Sequence, residues 1–459
     1  MKTVVEKAKL IDQCLSKQTI HAEKVYRRLT YCHTVERDGA LLLYNILTKQ
    51  LVVLSDEERA IFLSEEITPN DLSAELIENW MLVPQEFDDR KLHDQVRSFV
   101  QLFQPTQMSS YDVFVTTDCN ARCFYCFELD SNHFPMTDEV AGDLADYIIK
   151  NTVDRTKRVH LRWFGGEPLY NLGAIDLICE KLEKAEIKYY STMVSNGYLF
   201  DEEILNKAKG LWRLTSVQIT LDGTQQIYNR VKNYIYEDKN PYKRVLNNIA
   251  DLLANEIQVV VRLNLDAHNK DDLHKLVDEL SDRYGKNKYL HVYSHLLFEN
   301  VGHNNKKVRS DDQHAHMSDE FSKLEEYIRN KWFKRVRPLP RKFELNGCMA
   351  AIATTVTVAP DGRLGKCEHY FEEKMFGSIY SDKVEQEYID MWKIPRNSFK
   401  ECENCTFYPL CFVPKECPGF GQRKCDGYAR QEKLKGLESS IVYEYKKHKK
   451  ETEDESIIQ

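Results

Sequence analysis

Cys119, Cys123 and Cys126 stand in the run Cys-Asn-Ala-Arg-Cys-Phe-Tyr-Cys, a C-x3-C-x2-C spacing. Three thiolates on one short loop can bind three irons of a 4Fe-4S cluster and leave the fourth iron without a protein ligand. An iron left open in this way invites a chelating small molecule. A closed zinc site needs four ligands, and with no fourth Cys or His nearby the triplet falls one short. A second group of thiols lies downstream at Cys348, Cys367, Cys402, Cys405, Cys411, Cys417 and Cys425. Taken alone, that group reads first as a pair of structural zinc sites. Cys14 and Cys32 are isolated and Cys179 falls on the apolar face of a helical pattern, so all three read as small buried hydrophobes. The total of 13 cysteines is odd and cannot pair completely, which favours metal or redox chemistry over a disulfide framework.

The elements that must position these thiols follow from hydrophobic patterning. Short apolar runs predict strands at 111–117, 159–164, 188–194, 216–221, 258–265 and 290–296. Amphipathic segments predict helices between them at 137–151, 172–183, 201–211, 242–254 and 270–284. Six strands with five intervening helices describe an α/β fold, a partial (β/α)6 barrel whose strand-end loops line one shared site. The first cysteine triplet directly follows the first strand. Gly165, Gly166, Glu167 and Pro168 end the second strand, Ser195-Asn196-Gly197 the third, and Leu221-Asp222-Gly223 the fourth. Paired glycines let a backbone approach a ligand where a Cβ would clash.

Four motifs in order at successive strand ends resemble the radical S-adenosylmethionine (SAM) enzymes. The resemblance implies that Cys119, Cys123 and Cys126 hold a 4Fe-4S cluster, with Tyr125 as the aromatic residue before the third Cys. It implies that Gly165, Gly166, Glu167 and Pro168 bind the methionine amino group, and that Ser195, with Asn196 beside it, meets the SAM carboxylate. The family's His-Asp and Arg positions read Tyr228, Asn229 and Lys232 here, so Lys232 would supply the carboxylate's cation without an arginine's fork. An electron from the reduced cluster would split SAM, and the resulting 5′-deoxyadenosyl radical would abstract a hydrogen atom.

The downstream thiols are similar to the SPASM domain, an extension with two auxiliary 4Fe-4S clusters found in radical SAM enzymes that act on peptides and proteins. Beside the first triplet, iron-sulfur ligation overtakes zinc, since soft thiolates serve both metals. By this resemblance Cys402, Cys405, Cys411 and Cys425 close one cluster, and Cys348, Cys367 and Cys417 serve the other. The family's C-x3-C step after Cys411 would fall at Lys415, where this chain offers Cys417 instead. Seven thiols for two clusters leave one iron open, able to take a substrate thiolate. Glu368 stands where sulfatase-maturing relatives place an Asp base, and reads either as a base or as a solvated neighbour of the cluster.

The implied domains are a peptide-recognition module at 1–105, the radical SAM core at 106–300, a linker and helix at 301–345, the SPASM segment at 346–430 and a charged helical tail at 431–459. The first module reads as winged-helix-like α/β, with strands at 40–45 and 51–54 and helices at 56–63 and 68–79. It suits capture of a leader peptide by strand addition. The polar stretch 299–320 reads as loop, its His303, His314 and His316, with His295 before it, as solvated side chains. A helix is expected at 321–332. Lys plus Arg is 64 against 72 for Asp plus Glu, a net charge of −8, which disfavours a nucleic-acid partner. The amino terminus lacks an apolar signal region and no apolar stretch is long enough for a membrane span, so the expected location is the cytoplasm.

The expected function is maturation of a ribosomally synthesised precursor peptide through a thioether, ether or C–C cross-link. A reductant such as ferredoxin or flavodoxin would feed the first cluster, and the auxiliary clusters would accept the second electron. The alternatives are an anaerobic sulfatase-maturing enzyme that forms formylglycine, and a non-catalytic, zinc-stabilised peptide-binding protein.

Overall fold

A computed structural model describes residues 1–128, 132–238, 240–297, 300–301, 306–307, 311–333, 336–343, 345, 348–370, 373–394, 400–411, 414–417 and 427–458. The amino-terminal part contains β1 (Lys2–Val5), β2 (Tyr26–Arg28), β3 (Cys32–Arg37), β4 (Ala40–Asn45), β5 (Gln50–Leu54) and β6 (Leu82–Pro84). An antiparallel sheet runs in the order β1-β5-β4-β3, and β2 pairs with β6 separately. Asp38 and Gly39, at φ 51° and 79°, make the tight turn between β3 and β4, as two-residue hairpins of right-twisted strands require. The two strands expected from sequence are the middle of this sheet; the others are short or half exposed, and lack a full alternating run. Helices Asp56–Leu63, Asp71–Glu78 and Asp89–Leu102 follow, the first closed by a reciprocal Ser55–Glu58 capping box.

The barrel strands are β7 (Ser110–Thr116), β8 (Val159–Gly165), β9 (Tyr189–Ser195), β10 (Leu214–Leu221), β11 (Gln258–Leu265) and β12 (Leu290–Leu296), all parallel and in sequential order. Leu161, Trp163, Val217, Ile219, Val259 and Val261 pack one face of the sheet into the apolar core under the helices. Alternate positions give the other face a polar character: Asp112 bonds Arg162, His160 bonds Thr192, and Tyr293 bonds Gln218. This is a partial barrel with a polar lumen, on a mixed α/β framework.

Two features depart from the sequence reading. The helix expected at 321–332 is Asp311–Asn330, so its first turns replace part of the expected loop and carry His314 and His316. Its Glu325 is buried and accepts from the Ser294 backbone and hydroxyl at 2.7 Å, tying the helix to β12. His303 lies outside the described residues. The hairpin of β13 (Asn300–Val301) and β14 (Lys306–Lys307) comes before that helix. After it, β15 (Thr355–Val358) joins the barrel sheet parallel to β7, followed by antiparallel β16 (Arg363–Gly365) and β17 (Gly377–Ser378). The C-terminal helix Gly427–Ile458 does not trail away: Leu437 and Ile441 pack against Val5, Leu42, Tyr44 and Leu51 of the amino-terminal sheet. Among the described residues no helix is long and apolar enough to cross a membrane.

Candidate active site at the barrel mouth

The loop after β7 carries the first cysteine triplet and is held from several sides. Cys126 N–H bonds the Cys123 carbonyl at 3.2 Å and Arg122 N–H the Lys232 carbonyl at 2.8 Å, while Ile235 N–H reaches the Asn120 carbonyl at 2.9 Å. Asn196, at the end of β9, donates to Asn120 Oδ1 at 2.6 Å and places its Nδ2 3.9 Å from Cys119 Sγ. Burial pushes the Cys119 thiol up to about 12, and raises Cys123 and Cys126 as well. Three half-buried thiols on one loop with raised pKa values favour their protonated form, and a metal that takes them as thiolates, as in an iron-sulfur cluster, reverses that preference. Among the described residues no three Cys, His, Asp or Glu side chains converge on a single metal ion. Cluster ligands bind one iron each and need not converge, whereas the four ligands of a zinc must.

Glu167 is fully buried beside this loop. Its carboxylate accepts from Ser195 Oγ at 2.9 Å, Asn196 N–H at 2.8 Å and Leu169 N–H at 3.2 Å. Burial pushes it up to about 7 against those bonds. No cation bonds to it among the described residues, so its charge is met there by neutral donors alone. Gly165 and Gly166 also make a close approach within the chain. A Cβ on Gly165, whose φ is 126°, would stand 2.0 Å from the Thr116 carbonyl oxygen, and one on Gly166 2.4 Å from that of Asp118. The close approach is to the end of β7 and the start of the cysteine loop, so these glycines seat that loop. Pro168 opens the single 3-10 turn Pro168–Tyr170, which Glu167 caps.

Lys232 does not stand open to a ligand. It is 3% exposed and pairs with Asp222 at 3.0 Å, while Tyr125 donates to both Asp222 oxygens at 2.8 and 2.9 Å and Lys232 Nζ lies 3.1 Å from the Tyr125 hydroxyl. Burial opposes the Lys232 charge, yet Asp222 holds its pKa well above the ordinary value. The cysteine loop is thereby locked to the end of β10. Sequence reasoning gives Asp222 no role; the signal that could have found it is an acidic residue in the Leu221-Asp222-Gly223 tripeptide at a strand end. Tyr125 and Asp222 also line a cavity of about 580 Å³ with Phe124, Asp266, Asn269 and Leu297.

In the lumen, Arg162 Nη1 bonds Asp112 at 2.7 Å and Glu368 at 3.1 Å. Burial pushes Asp112 up to about 6 despite Arg162. Burial also pushes Glu368 upward, but Arg162, His369 and Arg262 outweigh it and hold Glu368 below the usual range. Glu368 is therefore an ion-paired, half-buried lumen group. The adjacent His369 ring lies 4.5 Å from Phe127, one residue past Cys126, so the turn bearing Cys367 faces the first cysteine loop across the lumen.

Cys348, Cys367 and Cys417 lie within electrostatic reach of one another. Cys405 acts likewise on Cys411, and Cys402 and Cys405 border a single apolar cluster. Cys425 lies outside the described residues.

Residues 113–280, most of the barrel, match the model of the radical SAM superfamily, a family that implies a 4Fe-4S cluster and SAM. Over 281 residues the chain is 24% identical to radical SAM cyclopropyl synthase TigE of Paramaledivibacter caminithermalis, covering 50% of this chain and 59% of that relative. Over 342 residues it is 22% identical to a cysteine-type anaerobic sulfatase-maturating enzyme of Clostridium novyi, covering 64% and 84%. Among solved structures, native anSMEcpe with bound AdoMet overlays with a TM-score of 0.52 at 18% identity, over 74% of this chain and 99% of that one. The same protein with AdoMet and the Cp18Cys peptide gives 0.51. These structural likenesses concern the fold.

Proposed function

We propose that the chain is a SPASM-type radical SAM maturase of a ribosomally made peptide, forming an intramolecular thioether, ether or C–C link. The observation that carries this reading is the polar lumen between two thiol-bearing turns, bridged by the Phe127–His369 contact. Cys119, Cys123 and Cys126 hold the first cluster, and Glu167 with Ser195 and Asn196 receives the methionine end of SAM. Together the bound groups supply hydrogen-atom abstraction from an unactivated C–H position. The chain orients the substrate in the lumen, and Glu368, kept ionised by Arg162, is placed to receive a proton there. Cys348, Cys367 and Cys417 hold one auxiliary cluster with an iron open to a substrate thiolate, while Cys402, Cys405, Cys411 and Cys425 hold the other. Residues 1–105 bind the leader, which adds along β3 at the outer edge of its sheet. A ferredoxin or flavodoxin supplies electrons.

A second reading, formylglycine formation, draws on the Glu368 carboxylate directly after Cys367. It also draws on the sulfatase-maturating relative and on the peptide-bound anSMEcpe structure. The test is the intact mass of a short peptide encoded beside the gene after anaerobic incubation with enzyme, SAM and reductant. Loss of two hydrogens per modification without a free carbonyl supports the cross-link. A carbonyl that reacts with hydrazine supports formylglycine, and iron for only two clusters per chain would sink the auxiliary assignment.

A further inference from the structure

Among the described residues Lys366 is a buried amine with no carboxylate partner. Its side chain is 6% exposed and its Nζ donates to the Ile352 carbonyl at 2.6 Å and to the Thr355 carbonyl. The charged or ionisable groups acting on it are Lys393, which repels it, and the Cys348 thiol. Two carbonyl dipoles solvate part of an ammonium but leave its charge unbalanced, and an unpaired buried charge is strongly unfavourable.

The place of this charge in the fold says what balances it. Cys348 precedes the single turn Met349–Ala351, which leads to Ile352 and then to Thr355 at the head of β15. The hairpin returns through β16 to Lys366 and Cys367. Lys366 therefore spans the base of a hairpin whose two ends carry Cys348 and Cys367, with Cys417 beside them. We propose that Lys366 is the counter-cation of the cluster held by these three thiolates, balancing its negative charge and raising its reduction potential. This rests on the reading of the trio as cluster ligands. Nearby lysine charge by itself is not the point: Lys393 is half exposed and already pairs with Asp390 at 2.6 Å.

The experiment is an anaerobic redox titration, followed by electron paramagnetic resonance, of the full-length iron-loaded chain. A background with Cys119→Ala, Cys123→Ala and Cys126→Ala isolates the auxiliary signals, and the signal lost in Cys348→Ala marks the cluster in question. In Lys366→Met that signal is expected to shift down by about 59 mV, a tenfold change in the oxidised-to-reduced ratio. Selective loss of that signal from Lys366→Met also supports the proposal. Lys366→Arg and Lys393→Met should keep the wild-type potential, and the other auxiliary signal should not move. An unchanged potential in Lys366→Met, or an equal shift of both signals, overturns the role of Lys366. If Cys348→Ala removes no signal, the cluster reading falls first and Lys366 with it.

Discussion

Glu167 sets the pH behaviour of the site. Its value near 7 lies above the ordinary 4.5, so its burial destabilises the fold progressively as pH rises from about 4.5 to 7. A ligand ammonium needs the ionised form, so SAM affinity measured by calorimetry should rise with pH over roughly 5.5 to 7.5. Glu167→Gln should flatten that profile and weaken binding by about 10 to 100-fold, the worth of a charged hydrogen bond. A different outcome is expected at Arg162, which serves the buried Asp112 and the half-buried Glu368. Arg162→Met leaves Asp112 and Glu368 facing each other uncompensated, and urea melts should show a loss of about 3 to 5 kcal/mol. The thiols and Glu167 were legible because their types and spacing are rare. The Asp112–Arg162–Glu368 group was not, since polar residues alternating along a strand ordinarily face solvent, and only the closing of the sheet turns them into a lumen.

Among the elements, the end of β8 is the least forgiving. Gly165→Ala would push a methyl group into the Thr116 carbonyl, separating β8 from the strand that carries the cysteine loop. Circular dichroism and iron analysis should show loss of the first cluster's iron, whereas Gly173→Ala, with open space around it, should behave as wild type. The barrel strands were readable to within two residues because each is a run of six or more residues rich in apolar side chains. β15 alternates Thr and Val over only four residues, too short a run to stand out, and its partner is remote in the chain. The helix Gln225–Lys232 was also missed, although it turns Lys232 inward to Asp222.

Across the whole molecule, the amino-terminal module and the C-terminal thiols share one core. Tyr408, between Cys405 and Cys411, has the Arg90 guanidinium 3.8 Å above its ring and the His93 ring at 4.8 Å. Arg97 bonds the Leu345 carbonyl at 2.7 Å. The shared core predicts that removal of residues 1–100 uncovers the 402–411 turn, and iron analysis of the truncated chain should show less iron than the full chain holds if that turn ligates a cluster. Tyr408→Ala should cost about 3 to 5 kcal/mol, read from thermal or urea melts, by emptying an aromatic site of that core. Such long-range packing has no local sequence signature. The pairing of β15 with β7 has a temporal side too. Roughly 240 residues separate the two strands, so at 5–20 residues per second β7 has an open edge for roughly 12 to 48 s of synthesis. During that interval the strand is vulnerable to pairing with other nascent chains. Cys119, Cys123 and Cys126 have by then emerged from the ribosome well ahead of Cys348, so the first thiol loop exists before the strand that closes the sheet beside it.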